Sequence, residues 1–167
     1  MSAQKIIYIA NARLPTEKAH GIQIAKMCEA LGAAGRPVTL VLPARKNPIK
    51  EDLFSYYSVK KNFIVKRIWC WDMIRLAKTL GPLAYYIESV SFAWSVSKHL
   101  KKQKEDFVVY TRDIWSILFL PAQYEIIFEA HMVPKRAGCL YKVLLNKVDR
   151  FVVISNGLEE EIKKFGI

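Results

Sequence analysis

At 167 residues, about half of them apolar and a quarter charged, the chain has the size and balance of one ordinary folded domain, large enough to close a core without staples. Cys28, Cys70 and Cys139 share no paired spacing, which argues against a disulfide or metal framework and for a reducing compartment. The longest run without a charge, Ile114 to Tyr124, has 11 residues. A membrane-spanning helix needs ~20, and the first ten residues are too short an apolar run for a signal peptide. A cytoplasmic location is expected, at most peripheral at the inner face of the membrane. The net charge of +11 is concentrated: residues 45–104 hold 13 basic groups against 4 acidic. Such a block attracts an anion, whether nucleic acid, phospholipid or a phosphorylated substrate.

In chain order, Lys5-Ile-Ile-Tyr-Ile-Ala10 is a short β-branched run, the pattern of a strand buried on both faces. A loop from Asn11 to His20 leads to a helix opened by Gly21, whose Ile24, Met27, Cys28, Leu31 and Ala34 fall on one face. Gly35 ends it, since glycine enters the left-handed region freely. Pro37 to Pro43 is a second buried strand, so the first 43 residues form a βαβ unit. Ligands of such sheets sit beyond the carboxyl ends of the strands, which directs attention to the loop 11–20.

Ala44 to Asn62 reads as a polar, basic excursion, and Phe63 to Trp69 as the third strand. Residues 70–80 are weakly helical. Gly81-Pro82 is a break with proline suited to a helix start. Leu83, Ile87, Val90 and Trp94 then run at helical steps to a basic end, Lys98 to Lys104, which complements the helix dipole. Phe107–Thr111 is a fourth strand, 114–120 is helical until Pro121, Tyr124–Ala130 is a fifth strand, 136–148 is helical, and Arg150–Ile154 is a sixth strand. Asn156 with Glu159 three residues on makes a capping-box-like start to the last helix. Strands alternating with helices predict a three-layer α/β fold, Rossmann-like, with a mostly parallel sheet of about six or seven strands in a single domain over residues 1–167.

A dinucleotide is the obvious ligand for such a sheet, and the residues argue against one. The first loop lacks G-x-G-x-x-G, and the second strand ends Pro43-Ala44-Arg45-Lys46 without the acid that grips a ribose. A different pattern appears at the strand ends: His20-Gly21-Ile-Gln23, Tyr110-Thr-Arg112-Asp113, Glu129-Ala-His131 and Ser155-Asn-Gly-Leu158-Glu-Glu160. In this order and placement it resembles the amino-terminal domain of the family 4 retaining glycosyltransferases, which have two facing Rossmann-like domains.

The resemblance implies an acceptor-side half of an enzyme that moves a sugar from a nucleotide-sugar donor to a glycan or lipid-linked acceptor, with retention and with no cofactor or required metal. The donor-binding domain and its glutamate pair lie outside these residues, so no catalytic residue is expected in this chain and the isolated fragment is expected to be inactive. His20 and Gly21 match the loop that approaches the donor diphosphate, where a helix start offers free N–H groups. His131 matches the histidine of the family's Glu-x-His segment near the transferred sugar, with Glu129 on the same strand face. Arg112 suits an anion contact, since a guanidinium forks onto phosphate or carboxylate. Ser155 and Asn156 complete the substrate-binding set. Each has a plainer reading beside it: Gly21 merely starts a helix, His131 is satisfied by backbone, Arg112 pairs with Asp113 or another acid, and Ser155 and Asn156 cap a helix.

The basic middle interleaves Phe54, Tyr56, Tyr57, Phe63, Trp69 and Trp71 with Lys60, Lys61, Lys66, Arg67 and Arg75. Lys60, Lys61, Lys66, Arg67, Trp69 and Trp71 are the expected membrane or acceptor patch, since rings beside cations suit an anionic bilayer surface. The competing reading puts the aromatics in the core and the lysines on a solvated face. Single-stranded nucleic acid also uses rings and cations, but no RNA-binding signature accompanies them, so no nucleic-acid partner is expected. The alternative to an enzyme half is a non-catalytic α/β module for anionic membrane or glycan, or half of a split enzyme.

Overall fold

The computed structural model describes residues 4–133 and 139–166, apart from the side chains of residues 75–77. Its frame is a sheet of six strands: β1 (Lys5–Ile9), β2 (Val38–Pro43), β3 (Ile64–Ile68), β4 (Phe107–Thr111), β5 (Glu125–Ala130) and β6 (Arg150–Val153). Their order is β3-β2-β1-β4-β5-β6, and all pairs are parallel. The expected mostly parallel α/β sheet is therefore found, with six strands. Order reverses between β1 and β4, the switch point at which the loops on either side diverge and leave room for a ligand.

The helices are α1 (Ala19–Ala33), α2 (Leu53–Tyr56), α3 (Ala77–Leu80), α4 (Pro82–Leu100), α5 (Cys139–Leu145) and α6 (Asn156–Lys163). On one face of the sheet, Ile24, Ala25 and Cys28 of α1 pack with Tyr8, Leu40, Leu42 and Tyr110. On the other, Phe92, Val96 and Leu100 of α4, Leu144 of α5 and Ile162 of α6 pack with Ile7, Ile9, Val109 and Phe128. Alternate residues of β1 and β4 thus serve opposite cores, which explains why both strands read as unbroken apolar runs.

Several elements differ from the sequence expectation. α1 starts two residues before Gly21 and ends on Ala33, with Gly35 at φ +78° making the exit. The stretch 44–62 is no excursion: it contains α2 and sends Leu53, Tyr57 and Val59 into the α1-side core. A 3-10 turn at Met73–Leu76 leads into α3, and another at Ile114–Ile117 stands where a helix was expected, initiated by the Asp113 carboxylate accepting from Trp115 N–H at 3.3 Å. α5 begins at Cys139, and the expected helix start at 136 lies outside the described residues. The cap of α6 is Ser155, whose hydroxyl accepts from Leu158 N–H at 3.3 Å, and Asn156 is the first helical residue.

The largest correction concerns α4. The apolar steps Leu83, Val90 and Trp94 face outward, and the buried side is Ala84, Glu88, Phe92, Ala93, Val96 and Leu100. Glu88 tolerates full burial because its carboxylate lies 2.7 Å from the Arg45 guanidinium at the exit of β2, and Asn11 at the exit of β1 donates to it at 3.3 Å. Burial nonetheless pushes the Glu88 carboxyl up, with Arg45 pulling the other way.

Candidate functional site

The rim at the carboxyl ends of β1, β4, β5 and β6 carries a connected set of polar side chains. At its centre is Glu129, the penultimate residue of β5 and nearly buried. One carboxylate oxygen accepts from Tyr110 Oη at 2.9 Å and from Tyr8 Oη at 3.4 Å. The other meets His131 Nε2 at 2.5 Å and lies 3.7 Å from Arg112 Nε. Strand alternation creates this convergence: Tyr8 and Tyr110 are register partners in β1 and β4 and project to the α1 face, where Glu129 also points. Burial, and next the Glu129 carboxylate, push both phenols up, so both remain neutral donors to it.

Arg112 leaves β4 directly over the switch point. Its Nη2 donates to Gln23 Oε1 in the second turn of α1 at 3.3 Å, so the guanidinium bridges β5 to the helix start. The plainer expectation, a pair with Asp113 or another acid, is met by Glu129; Asp113 turns inward to cap the 3-10 turn and accepts from Ser116 Oγ at 2.7 Å. A guanidinium has five N–H donors, so two contacts leave donors for an incoming anion.

The start of α1 has Lys18 at its cap position with no side-chain cap and no acid in its first turn. His20 sits beside it, its pKa lowered by burial, then by Lys18 and Arg112. Gly21 has a packing role. Its N–H donates to Lys18 O, and a Cβ there would stand 2.1 Å from Tyr57 Oη and 2.7 Å from Thr16 Cγ2. The Tyr57 hydroxyl fills that space because it accepts from Thr16 N–H at 2.7 Å and donates to Thr16 O at 2.9 Å. Absence of a side chain at residue 21 therefore serves packing of the loop against α1.

His131 follows β5 and, with Ser155, Gly157 and Leu158, lines a shallow cavity of about 410 Å³ between the exits of β5 and β6. The Glu129 carboxylate on Nε2 fixes the ring, and with the proton on that nitrogen Nδ1 is left as an acceptor. Asn156 is exposed on the same helix start. His20, Gly21, Arg112, Glu129, His131, Ser155 and Asn156 thus share one rim, linked by contacts from α1 to β5 and by one cavity from β5 to β6.

The basic-aromatic middle is not brought together as one patch. Lys61 lines a cavity with Gln4, Pro37 and Glu105 at the opposite, amino end of the sheet, and Lys60 is the exposed residue before it. Trp69 and Trp71 follow β3 at the carboxyl end. Phe54, Tyr56, Tyr57 and Phe63 pack into the α1-side core, and Arg67 donates to Leu14 O. Lys66 is exposed on the edge strand, and the Arg75 side chain lies outside the described residues. Tyr8, Gln23 and the Arg45–Glu88 pair are the residues that reading the sequence did not assign. A tyrosine inside Ile-Ile-Tyr-Ile was the available signal, since a buried hydroxyl needs a partner.

This fold has a solved counterpart. The structure of Phytolacca americana UGT2 complexed with UDP-2fluoro-glucose and pterostilbene superposes with a TM-score of 0.52 at 13% sequence identity, over 78% of this chain and 31% of that one. At that identity the likeness is one of fold, a Rossmann-like α/β domain, and the match spans under a third of the plant protein. No family model and no curated protein matches the sequence.

Proposed function

We propose that this chain is the acceptor-side half of a glycosyltransferase that moves a sugar from a nucleotide-sugar donor to a glycan or lipid-linked acceptor. The observation that carries the reading is the Arg112–Glu129–His131 relay beside an uncapped helix start at the switch point of the sheet. A domain of this fold in a protein complexed with UDP-2fluoro-glucose supports it, and so does the order of strand-end residues, which carries the further expectation of retention.

In this reading each group has a task set by its contacts. Departure of a nucleoside diphosphate leaves negative charge, which the N–H groups at the start of α1 and the Arg112 guanidinium stabilise electrostatically. Glu129 touches no substrate. It is a positioning residue, holding the His131 ring so that Nδ1 accepts from a sugar hydroxyl, and it holds Arg112 over the rim. The remaining wall of the cleft, with the donor's nucleoside and the catalytic carboxylates, belongs to a second domain.

Two measurements test the proposal. Incubated with labelled nucleotide-sugars and acceptors, the 167 residues alone are expected to transfer nothing, and transfer by them overturns the half-site assignment. Binding of a nucleoside diphosphate, followed by ligand NMR, is expected to weaken roughly 10- to 100-fold in Arg112→Ala, the range for losing charge-assisted hydrogen bonds to an anion. Unchanged binding in that variant removes Arg112 from the site.

A further inference from the structure

We infer that the outward side of α4, with the residues leaving β3, is a docking surface for an anionic lipid bilayer. The helix carries two apolar sides. Its inner side is spent on the core, while Tyr86, Val90 and Trp94 run along the outer one at four-residue steps. Trp69, Trp71 and Phe119 adjoin them, and together these six side chains line an apolar groove of about 590 Å³. Trp69 is 53% exposed, Trp71 56% and Trp94 46%. Single exposed aromatics are ordinary, but a contiguous set of this size marks a contact surface.

The chemistry of the rim selects the occupant. The stripe Tyr86–Val90–Trp94 continues one step further to Lys98, whose ammonium stands 3.5 Å from the centre of the Trp94 ring, and then to exposed Lys101 and Lys102. Lys66, exposed on the edge strand, is the register partner of Val41, whose side chain lies in the α4-side core, so it stands on the same face of the sheet as α4.

Between Lys66 and Lys104 there are two acids, and both are turned away from this face. Glu88 is buried on Arg45, and Asp72 is engaged by Arg13 at 3.7 Å and by Lys46 N–H at 3.2 Å. A surface with tryptophan and tyrosine in the middle and cations at one end matches the headgroup layer of an anionic bilayer, where amphipathic rings sit at the interface and lysines meet phosphate.

This surface differs from the expected patch: it retains Trp69, Trp71 and Lys66 and excludes Lys60 and Lys61. No helix among the described residues is long and apolar enough to cross a membrane, so the contact is peripheral. The inference is independent of sugar transfer.

The test is co-sedimentation of the chain with phosphatidylcholine vesicles and with vesicles holding 30% phosphatidylglycerol, tryptophan emission being read in parallel. The unsubstituted chain is expected to bind the anionic vesicles with a blue shift, to bind neutral ones at least tenfold more weakly, and to be released by salt. Lys98→Gln/Lys101→Gln/Lys102→Gln is expected to weaken partitioning roughly 100-fold. Trp71→Ser/Trp94→Ser is expected to lose most of the blue shift and at least tenfold in binding, with circular dichroism unchanged. Lys60→Gln/Lys61→Gln is expected to bind normally. Equal binding to both vesicle types, or full binding by the tryptophan or triple-lysine variant, overturns the inference. So does a concentration-dependent dimer lost in the tryptophan variant without vesicle binding by the parent chain, since that assigns the groove to a second copy. Sugar transfer enters none of these readouts, so failure here leaves the proposed reaction standing.

Discussion

Removal of the Glu129 carboxylate tests whether the rim is organised around one buried acceptor. In Glu129→Ala the hydroxyls of Tyr8 and Tyr110 lose their common acceptor, and Tyr8 lies wholly within the core. Each orphaned buried donor costs about 1–3 kcal/mol, and breaking a buried charged pair about 3–5 kcal/mol. Arg112 keeps Gln23 and some access to water, which tempers the total. A loss of about 3–5 kcal/mol is expected, a fall in melting temperature of roughly 6–20 °C for a domain of this size. Glu129→Gln keeps an acceptor toward His131 and an amide that the tyrosine hydroxyls can accept from, so it costs only about 1–2 kcal/mol.

The decisive feature is a change of sign. Tyr8→Phe destabilises the parent by about 1 kcal/mol, yet stabilises the Glu129→Ala background, because it removes the hydroxyl that Glu129→Ala has orphaned. Urea unfolding of the four proteins in the cycle reads this directly. Additive effects, with Tyr8→Phe equally harmful in both backgrounds, refute the reasoning.

Other expectations follow from local geometry. Gly21→Ala overpacks the contact with Tyr57 Oη and costs about 1–3 kcal/mol, and adding Tyr57→Phe recovers part of that in thermal unfolding. Burial raises the Asp113 carboxyl above its unfolded value, so its contribution to stability is complete below about pH 4 and is lost as pH rises through the folded value. The melting temperature of Asp113→Asn minus that of the parent should therefore rise with pH above about 4, and a flat difference contradicts the assignment. Cys139 is exposed, whereas burial pushes the Cys70 thiol up to about 11 and Cys28 higher still. A thiol reagent at pH 8 should accordingly modify one cysteine in the native chain and three in denaturant, and more than one fast native thiol contradicts the packing.

The strands were legible in the sequence because each is a short run rich in β-branched or aromatic residues. α1 was legible from Ile24 and Cys28, since its opposite side is polar. The inner face of α4 was not, because Leu83, Val90 and Trp94 compete with Ala84, Phe92 and Val96, and periodicity cannot choose between two apolar sides of one helix. The role of 44–62 was hidden for a related reason: Tyr57 acquires its place from Thr16 and Gly21, over 30 residues away in sequence. At the rim, strand exits could be read from the residues that end each run, and they do gather. Their wiring could not, since the Glu129 hub exists only once register sets Tyr8 beside Tyr110 and brings β5 next to β4.

The proposed sugar transfer requires a nucleoside-diphosphate group to meet this rim. Backbone NMR of the isotopically labelled chain, titrated with UDP, UDP-glucose and GDP-mannose, measures that directly. With at least one of these ligands, the largest shifts are expected at the amides of residues 19–23, 112 and 131, and they should be lost in Arg112→Ala. Shifts confined to the amino end of the sheet, or none at millimolar ligand, would contradict it.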